Sequence, residues 1–153
     1  MNGREDKKNN DLFYTCSLIE YIARKTKNSP TVIVNALGKD KISNIYSIAD
    51  IYHSDNIDRV SDDFISECGI QTGSFDNVAE CRYAVPTHWD IGKVYKRLIL
   101  KISETENTDV ITVLIKVFNS GIVSLIEDYN SSFYYDSPDA IYQTFLNDCK
   151  PLQ

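Results

Sequence analysis

The sequence of 153 residues is poor in the side chains that most often build metal and redox centres. It contains two histidines, His53 and His88, and four cysteines that lie singly, without any Cys-x-x-Cys pair. Structural zinc sites and dithiol redox sites depend on closely spaced cysteine and histidine ligands. The sequence therefore predicts no metal site and no cofactor, and it predicts reduced thiols rather than disulfides.

Long apolar segments are missing as well. No run of about 18 apolar residues occurs, which is the length that a membrane-spanning helix requires, and the first ten residues are polar throughout. A secretion signal would place an apolar segment behind the N-terminal charges. We therefore expect a cytoplasmic protein without membrane contact.

Glycine and proline are scarce, with six and four residues, and each glycine stands outside any Gly-rich phosphate-binding motif. Such motifs need several glycines at fixed spacing. The 42% hydrophobic and 25% charged residues match an ordinary folded domain. The composition excludes collagen-like and low-complexity chains, and it gives no support to a phosphate-binding loop.

Apolar residues recur at helical spacing along most of the chain. In the first such stretch, Leu12, Cys16 and Ile19 are separated by steps of four and three, the spacing of one helix face. Each stripe follows a residue that favours helix N-termini, and a proline supports two of these starts. The capping positions are Asn10 or Asp11, Ser29, Asp40, Asn56, Thr87, Asp109 and Ser137. The sequence therefore predicts an all-α protein, a single compact bundle of about seven helices.

Between the helices the pattern is less regular. We expect one domain with a flexible N-terminus at residues 1–10, an N-terminal helical part at 11–69, a loop at 70–86 and a C-terminal helical part at 87–153. Alternation of Cys81, Tyr83 and Val85 predicts a short extended piece in the loop. Gly38 predicts a left-handed turn between the second and third helices, and Gly121 predicts a bend within the sixth.

Charge is unevenly distributed. Twenty-two acids against 16 bases give a net charge of −6, and residues 55–80 account for all of it with seven acids and one base, Arg59. A negative net charge repels nucleic-acid phosphates, so non-specific nucleic-acid binding is disfavoured. Five of these acids form what we call the acidic face, on and directly before the predicted fourth helix: Asp55, Asp58, Asp62, Asp63 and Glu67.

The acidic face has three interpretations. It can be a solvated surface with an ion pair one helical turn apart, between Arg59 and Asp63. It can dock a basic protein partner, because complementary charge speeds encounter and selects the partner. It can also pack within the chain against a cationic stripe on the predicted fifth helix. That stripe consists of Lys93, Lys96, Arg97 and Lys101.

Residues 29–53 have the outline of a helix-turn-helix, in which a short helix and a second helix meet at Gly38. A recognition helix there would present four polar side chains to DNA: Lys41, Ser43, Asn44 and Ser47. Asp40 and Asp50 flank these residues and weaken phosphate anchoring. The sequence therefore favours a helical hairpin in a bundle, with DNA binding as the alternative.

Two further groups have open interpretations. His53 and His88 lie near predicted helix ends, where histidine interacts with the helix dipole, and a nucleophilic pair of Cys81 and His88 would lack a fixed geometry. The loop at residues 128–136 contains four aromatic side chains, which form either a contact surface or a cover for the core. They are Tyr129, Phe133, Tyr134 and Tyr135.

Two segments resemble a known family. Residues 13–23, which read FYTCSLIEYIA, and residues 48–53, which read IADIYH, are similar to a bacterial family of small helical proteins found near ADP-ribosyltransferase-like toxins. The similarity covers about the first seventy residues, and residues 90–99 and 128–132 look like a C-terminal extension of some relatives. The family has no assigned activity, so the resemblance implies a small helical fold and no catalytic residues.

These observations favour a non-enzymatic interaction protein of a bacterium or a mobile element. We expect it to bind a protein partner in the cytoplasm, as an antitoxin or an inhibitor does, and to dock through the acidic face. A helix-turn-helix regulator that binds DNA is the alternative. An enzyme comes third, because no catalytic constellation is visible in the sequence.

Overall fold

The computed structural model describes the backbone of residues 3–149 and the side chains of residues 7–147. Within this range every regular element is a helix and no strand occurs, so the predicted all-α fold is confirmed. No helix in this range is long and apolar enough to cross a membrane. The elements are α1 (Gly3–Thr26), α2 (Pro30–Ser47), α3 (Ala49–His53), α4 (Ile57–Cys68), α5 (Asn77–Glu80), α6 (His88–Glu106), α7 (Val110–Phe118), α8 (Ile122–Ile126) and α9 (Pro138–Thr144), with a 3-10 turn at Phe133–Tyr135 and a π-helical turn at Phe145–Cys149.

Five predicted helix starts are confirmed. At each of them the capping side chain accepts a hydrogen bond from a backbone N–H of the first turn, a donor that the helix itself leaves unpaired. Thr87 and Asp90 form a reciprocal capping box, in which the Thr87 N–H donates to the Asp90 carboxylate at 2.9 Å. The five capping residues are Ser29, Asn56, Thr87, Asp109 and Ser137.

The predicted start of α1 at Asn10 or Asp11 is wrong, because the helix already begins at Gly3. The Asp11 carboxylate forms an ion pair with Lys7 at 3.0 Å, one turn earlier on the same helix. Opposite charges four residues apart stabilise a helix. The polar residues from Gly3 onward therefore extend α1, where the sequence predicts a flexible terminus.

The turn predicted at Gly38 is a kink of one residue inside α2. Gly38 has φ +80° and ψ 164°, and helix continues on both sides of it. Glycine adopts positive φ without a Cβ clash, so a single residue redirects the chain. The third helix predicted to start at Asp40 is instead divided between two elements, because helix resumes directly after Gly38 as part of α2 and Ile48 separates α2 from α3.

The loop predicted at residues 70–86 contains one short helix and no strand. Asp76 caps the single turn of α5 and accepts from the Ala79 N–H at 3.0 Å. Cys81, where the predicted extended piece begins, has extended backbone angles, with φ −70° and ψ 128°. The loop is fastened to the end of α1, because the Gly73 N–H donates to the Thr26 carbonyl at 2.8 Å.

The predicted sixth helix is two helices, α7 and α8. It breaks at residues 119–121, where the Asn119 amide donates to the Ile115 carbonyl at 2.9 Å and the Ser120 hydroxyl donates to the Val117 carbonyl at 2.7 Å. These side chains satisfy carbonyls that the helix end leaves free. The apolar stripe itself is buried as predicted, with Val117, Phe118 and Ile122 fully inside.

The core lies around α1, which packs mainly against α2 and α6. α1 and α6 approach closely at Gly92, where a Cβ would lie 2.1 Å from Ser17 Oγ and 2.9 Å from Ser17 Cα. Only glycine permits this spacing. Glu20 and Tyr95 follow Ser17 and Gly92 by three residues and so share their helix faces. Glu20 and Tyr95 therefore lie in the core next to this close contact.

Candidate functional site

Two carboxylates meet in the core, although 107 residues separate them in the sequence. Glu20 comes from α1 and is 1% exposed, and Glu127 directly follows α8 and is 2% exposed. Tyr129, two residues further on, contacts both of them. Buried carboxylates require hydrogen-bond partners or a counter-charge. The surrounding side chains supply both, and we call this group the carboxylate pair.

Glu20 has a positive partner. Its Oε2 accepts from Arg24 Nε at 3.2 Å and from the Tyr129 hydroxyl at 2.8 Å. The Arg24 guanidinium also donates to the Tyr129 oxygen at 2.9 Å and lies 5.2 Å from the Tyr129 ring centre. Glu20 Oε1 is buried without a hydrogen-bond partner. Arg24 is therefore the positive partner of Glu20.

Glu127 is held by neutral donors. Its Oε2 accepts from the Tyr95 hydroxyl at 2.8 Å, and its Oε1 accepts from the Asn77 amide at 3.1 Å. The same amide donates to the Glu127 backbone carbonyl at 2.8 Å. These contacts join α5, α6 and the segment after α8. Glu127 is thus fixed at a junction of three elements.

The contacts of Tyr129 and the burial of Glu127 favour a protonated carboxyl in this pair. The Tyr129 oxygen lies within 2.8 Å of Glu20 and 3.1 Å of Glu127, but its hydroxyl has one hydrogen and can donate to only one of them. The second contact needs a hydrogen from a carboxyl group. Burial, followed by the neighbouring charge of Glu20, raises the pKa of Glu127 well above its ordinary value. Burial therefore favours the protonated form of Glu127.

A cavity of about 410 Å³ lies beside this pair and is lined by Glu127 and Tyr129. We call it the acidic cleft, because three carboxylic acids line it, Glu80, Glu127 and Asp128, and no Lys or Arg does so among the described residues. Phe75 adds an aromatic ring that is 40% exposed. The remaining polar lining comes mainly from Ser29, Thr31, Asn77, Ser120, Ser124 and Asn130.

The sequence analysis missed both carboxylates. Glu20 lies four residues after Cys16 and three before Ala23, so it occupies the buried stripe of α1. Glu127 likewise lies four residues after buried Val123. An acid at a core position of a helical stripe is a signal for a buried polar site. Its partner is not visible in the sequence.

The acidic face forms ion pairs that hold α4 against α1 and α2. Asp58 accepts from Lys25 and from the Tyr21 hydroxyl, each at 2.7 Å, and these hydrogen bonds hold its pKa below the usual value. Lys25 also pairs with Asp62 at 2.6 Å, and Lys41 of α2 pairs with Glu67. These acids thus pair with cations of α1 and α2. The predicted packing against the cationic stripe, which lies on α6, is not supported, because no ion pair of the described side chains joins the acidic face to that stripe.

Two members of the acidic face differ from that pattern. Arg59 pairs with Asp55 at 3.9 Å, so the expected pair of Arg59 with Asp63 is not the one formed. Asp63 is exposed, and among the described side chains it takes part in no ion pair. It is the member of the face that remains directed to solvent without a cation.

The four residues named for DNA contact are not a set of free donors. Lys41 is engaged by Glu67, and the Ser47 hydroxyl donates to the Asn44 carbonyl at 3.0 Å. Ser43 is half-buried and Asn44 is exposed. Lys41 is the only cation among these four residues. Its ion pair with Glu67 therefore occupies the side chain that would anchor a DNA phosphate.

Both histidines lie at helix ends, as the sequence predicts, and they share one aromatic cluster. His88 opens α6 and its ring centre lies 4.6 Å from that of Trp89, while His53 ends α3 and lies 6.0 Å from Trp89. Partial burial lowers the pKa of His88. Cys81 contacts backbone carbonyls, with its sulfur 3.3 Å from Tyr83 O, and no metal-binding group of His, Cys, Asp or Glu occurs in the described part of the chain.

The aromatic loop mainly covers the core. Tyr129 and Tyr134 are buried and Phe133 is half-buried, whereas Tyr135 is 77% exposed. The buried members extend the core over the carboxylate pair. The exposed one leaves a partial contact surface.

The fold and the site define the class of this protein as all-α, with a buried carboxylate pair beside an acidic cleft. In comparisons with protein-family models, curated proteins and solved structures, nothing matches the chain. The resemblance to helical proteins found near toxins therefore stays a prediction.

Proposed function

We propose that the protein binds a small cationic molecule in the acidic cleft and acts as a binding protein rather than as an enzyme. One observation carries this proposal: the exposed acids Glu80 and Asp128 line the cleft, and no Lys or Arg does so among the described residues. Carboxylate, hydroxyl and carbonyl oxygens accept hydrogen bonds, and an ammonium group has only donors. A protonated amine is therefore complementary to this lining in both charge and hydrogen bonding.

The shape and the remaining lining narrow the ligand further. The volume of about 410 Å³ is at the small end of the range of ligand pockets. Phe75 offers an exposed ring, which attracts a cation through its face and packs against apolar groups. A small amine with a short apolar part fits these features.

The carboxylate pair supports binding because it positions the walls of the cleft. Asn77 ties α5 to the Glu127 carbonyl, and the Asn130 amide donates to the Glu80 carbonyl at 3.1 Å. Glu20 does not line the cleft, and the Glu127 oxygens are engaged by Tyr95, Asn77 and Tyr129. A general acid or base must reach its substrate, whereas these groups reach one another.

Binding is tested by titrating isotope-labelled protein with ethanolamine, choline and arginine while amide resonances are recorded. We expect shifts confined to residues of the cleft, such as Asn77, Ser124 and Asn130. Asp128→Asn removes a charged acceptor, so the affinity is expected to fall about tenfold or more. The measured quantity is the dissociation constant of each cation.

The matched control is Asp40→Asn, which removes an exposed acid on α2 outside the cleft and should leave the affinity unchanged. Acetate and glycerol serve as anionic and neutral probes. If acetate shifts the same resonances as strongly as the cations, the charge argument is wrong. If no cation shifts them at all, the cleft is not a binding site for amines.

A second proposal concerns the acidic face, where exposed Asp63 lies beside acids already paired with Lys25. We propose that a basic protein partner docks there, as an antitoxin or inhibitor surface would. Asp63→Lys should weaken binding of a fluorescent oligolysine peptide about twofold to fivefold without changing the melting temperature. Asp40→Lys is the control for net charge, and equal effects of both variants would show that only the overall charge matters.

Asp58 on the same face tests stability rather than docking. Asp58→Asn removes contacts with Lys25 and Tyr21, so it should lower the melting temperature. A variant at Asp58 therefore tests the attachment of α4, and only a variant at Asp63 tests docking.

A further inference from the structure

A second cavity lies at the aromatic loop and differs in chemistry from the acidic cleft. Its volume is about 450 Å³, and tyrosine, serine and asparagine side chains line it without any charged residue. Two of its tyrosines present their rings to solvent, since Tyr83 is 66% and Tyr135 is 77% exposed. Exposed tyrosine rings beside hydroxyl and amide groups can hold a flat, polar molecule by stacking and hydrogen bonds.

A third, smaller cavity adjoins it. It has a volume of about 240 Å³ and contains Lys93 and Arg97 of α6. Tyr134 and Tyr135 line both cavities, so the two tyrosines form a ridge between an uncharged groove and one that contains cations. We call the combined surface the tyrosine ridge site.

The cations on this side lie close together on α6, and two of them form no ion pair. Neither Lys93 nor Arg97 takes part in an ion pair among the described side chains. Partial burial and the charges of Arg97 and Lys93 lower the pKa of neighbouring Lys96. Like charges on one helix repel one another, and a bound anion would relieve that repulsion.

Two acids also line the cationic cavity, Asp90 and Asp136. The Asp90 carboxylate accepts the Thr87 N–H in the capping box of α6, so the helix terminus already compensates its charge. Asp136 is exposed and would oppose an anion.

We propose that the tyrosine ridge site binds a nucleoside phosphate, with the base stacked on Tyr135 and the phosphate between Lys93 and Arg97. Cations combined with exposed aromatic rings are the arrangement by which proteins hold nucleotides without reading a duplex. The net charge of −6 repels phosphate at long range, so binding depends on these local contacts. The ligand is either a free nucleotide or a residue of a single strand, which share this chemistry.

The test measures binding of adenosine monophosphate by calorimetry and of a fluorescent oligothymidylate by anisotropy, both at low salt. Tyr135→Ala should weaken binding about tenfold, whereas Tyr135→Phe keeps the ring and should bind as the wild type does. Replacing Lys93 and Arg97 together by alanine should weaken binding about tenfold or more. Asp136→Asn should strengthen it.

The control replaces two exposed lysines elsewhere, Lys8 and Lys39, by alanine and should leave binding unchanged. Preference for the mononucleotide or for the oligonucleotide identifies the source of the ligand, and either result supports the site. Absence of binding by both probes overturns the proposal, as does binding that survives both Tyr135→Ala and the double cation variant. Equally tight binding of an acidic peptide of glutamate and tyrosine would overturn it too, because the surface would then recognise charge alone. None of the altered residues lines the acidic cleft, so this result is independent of amine binding there.

Discussion

Replacement of Glu20 by glutamine is expected to lower the free energy of unfolding by about 3 kcal/mol. The substitution leaves the Arg24 guanidinium, whose side chain is 18% exposed, without its counter-charge. Glu127→Gln should cost only about 1 kcal/mol at pH 5, because a neutral amide resembles the protonated carboxyl that it replaces. Urea denaturation of the two variants measures this asymmetry, which chemically identical substitutions at two independent surface acids would not produce.

The pH dependence of stability identifies the protonated member. The folded state keeps the Glu127 proton above the ordinary pKa of 4.5, whereas the unfolded chain loses it. The folded state then binds more protons, so this group makes stability fall as pH rises from about 4.5 until its raised pKa is reached. Glu127→Gln removes that loss, and its stability relative to wild type should rise by up to about 1.4 kcal/mol per pH unit across this window.

Parallel pH profiles of stability for wild type and Glu127→Gln would contradict a raised pKa of Glu127. The control is Asp128→Asn, which removes the adjacent exposed acid and should leave the slope of the profile close to that of the wild type. A steeper fall for Glu20→Gln than for wild type would also oppose the assignment, since loss of the neighbouring charge should make Glu127 easier to ionise.

Gly92→Ala is the second substitution with a large expected effect, a loss of about 3 kcal/mol or about 10 °C in melting temperature. Alanine improves helix propensity by about 1 kcal/mol, but its Cβ would lie 2.9 Å from both Ser17 Cα and Ser17 N. Backbone atoms cannot rotate away as a side chain does, so α1 and α6 must separate. Thermal unfolding followed by circular dichroism measures the shift.

The Ser17 side chain supplies the control for this contact. Its hydroxyl is buried without a hydrogen-bond partner, so Ser17→Ala alone should leave stability equal or improved. Ser17→Gly combined with Gly92→Ala should recover only part of the loss, because the Ser17 backbone still opposes the new Cβ. An unchanged or higher melting temperature for Gly92→Ala would show that the two helices are not held at this spacing.

Helix starts follow from residues that lie next to one another in the chain. Asn56 caps α4 through a bond to the N–H of Asp58, two residues away, and Gly69 ends α4 in the left-handed conformation. Such signals need no other part of the molecule, and they predict this helix with both ends correct. They fail at Asp11, because the packing of α1 and an ion pair with Lys7 outweigh a local capping preference.

The candidate sites depend on residues that are distant in the chain. Glu20 and Glu127 both contact Tyr129 only because α1 and the segment after α8 meet in the core. The pairing of Lys41 with Glu67 likewise depends on how α4 lies against α2. Periodicity assigns a side chain to a face, but it does not state which face of which helix lies opposite.

The sequence by itself determined the helical class, five N-terminal caps and the concentration of acids at residues 55–80, since each follows from short-range geometry or from composition. Only the tertiary structure decided that Glu20 and Glu127 meet in the core, which acids Lys25 and Lys41 neutralise, and that Tyr134 and Tyr135 lie beside Lys93 and Arg97. The physical reason is that burial and electrostatic interaction depend on distances through space. Those distances are fixed here by the packing of α1 on α6 at Gly92.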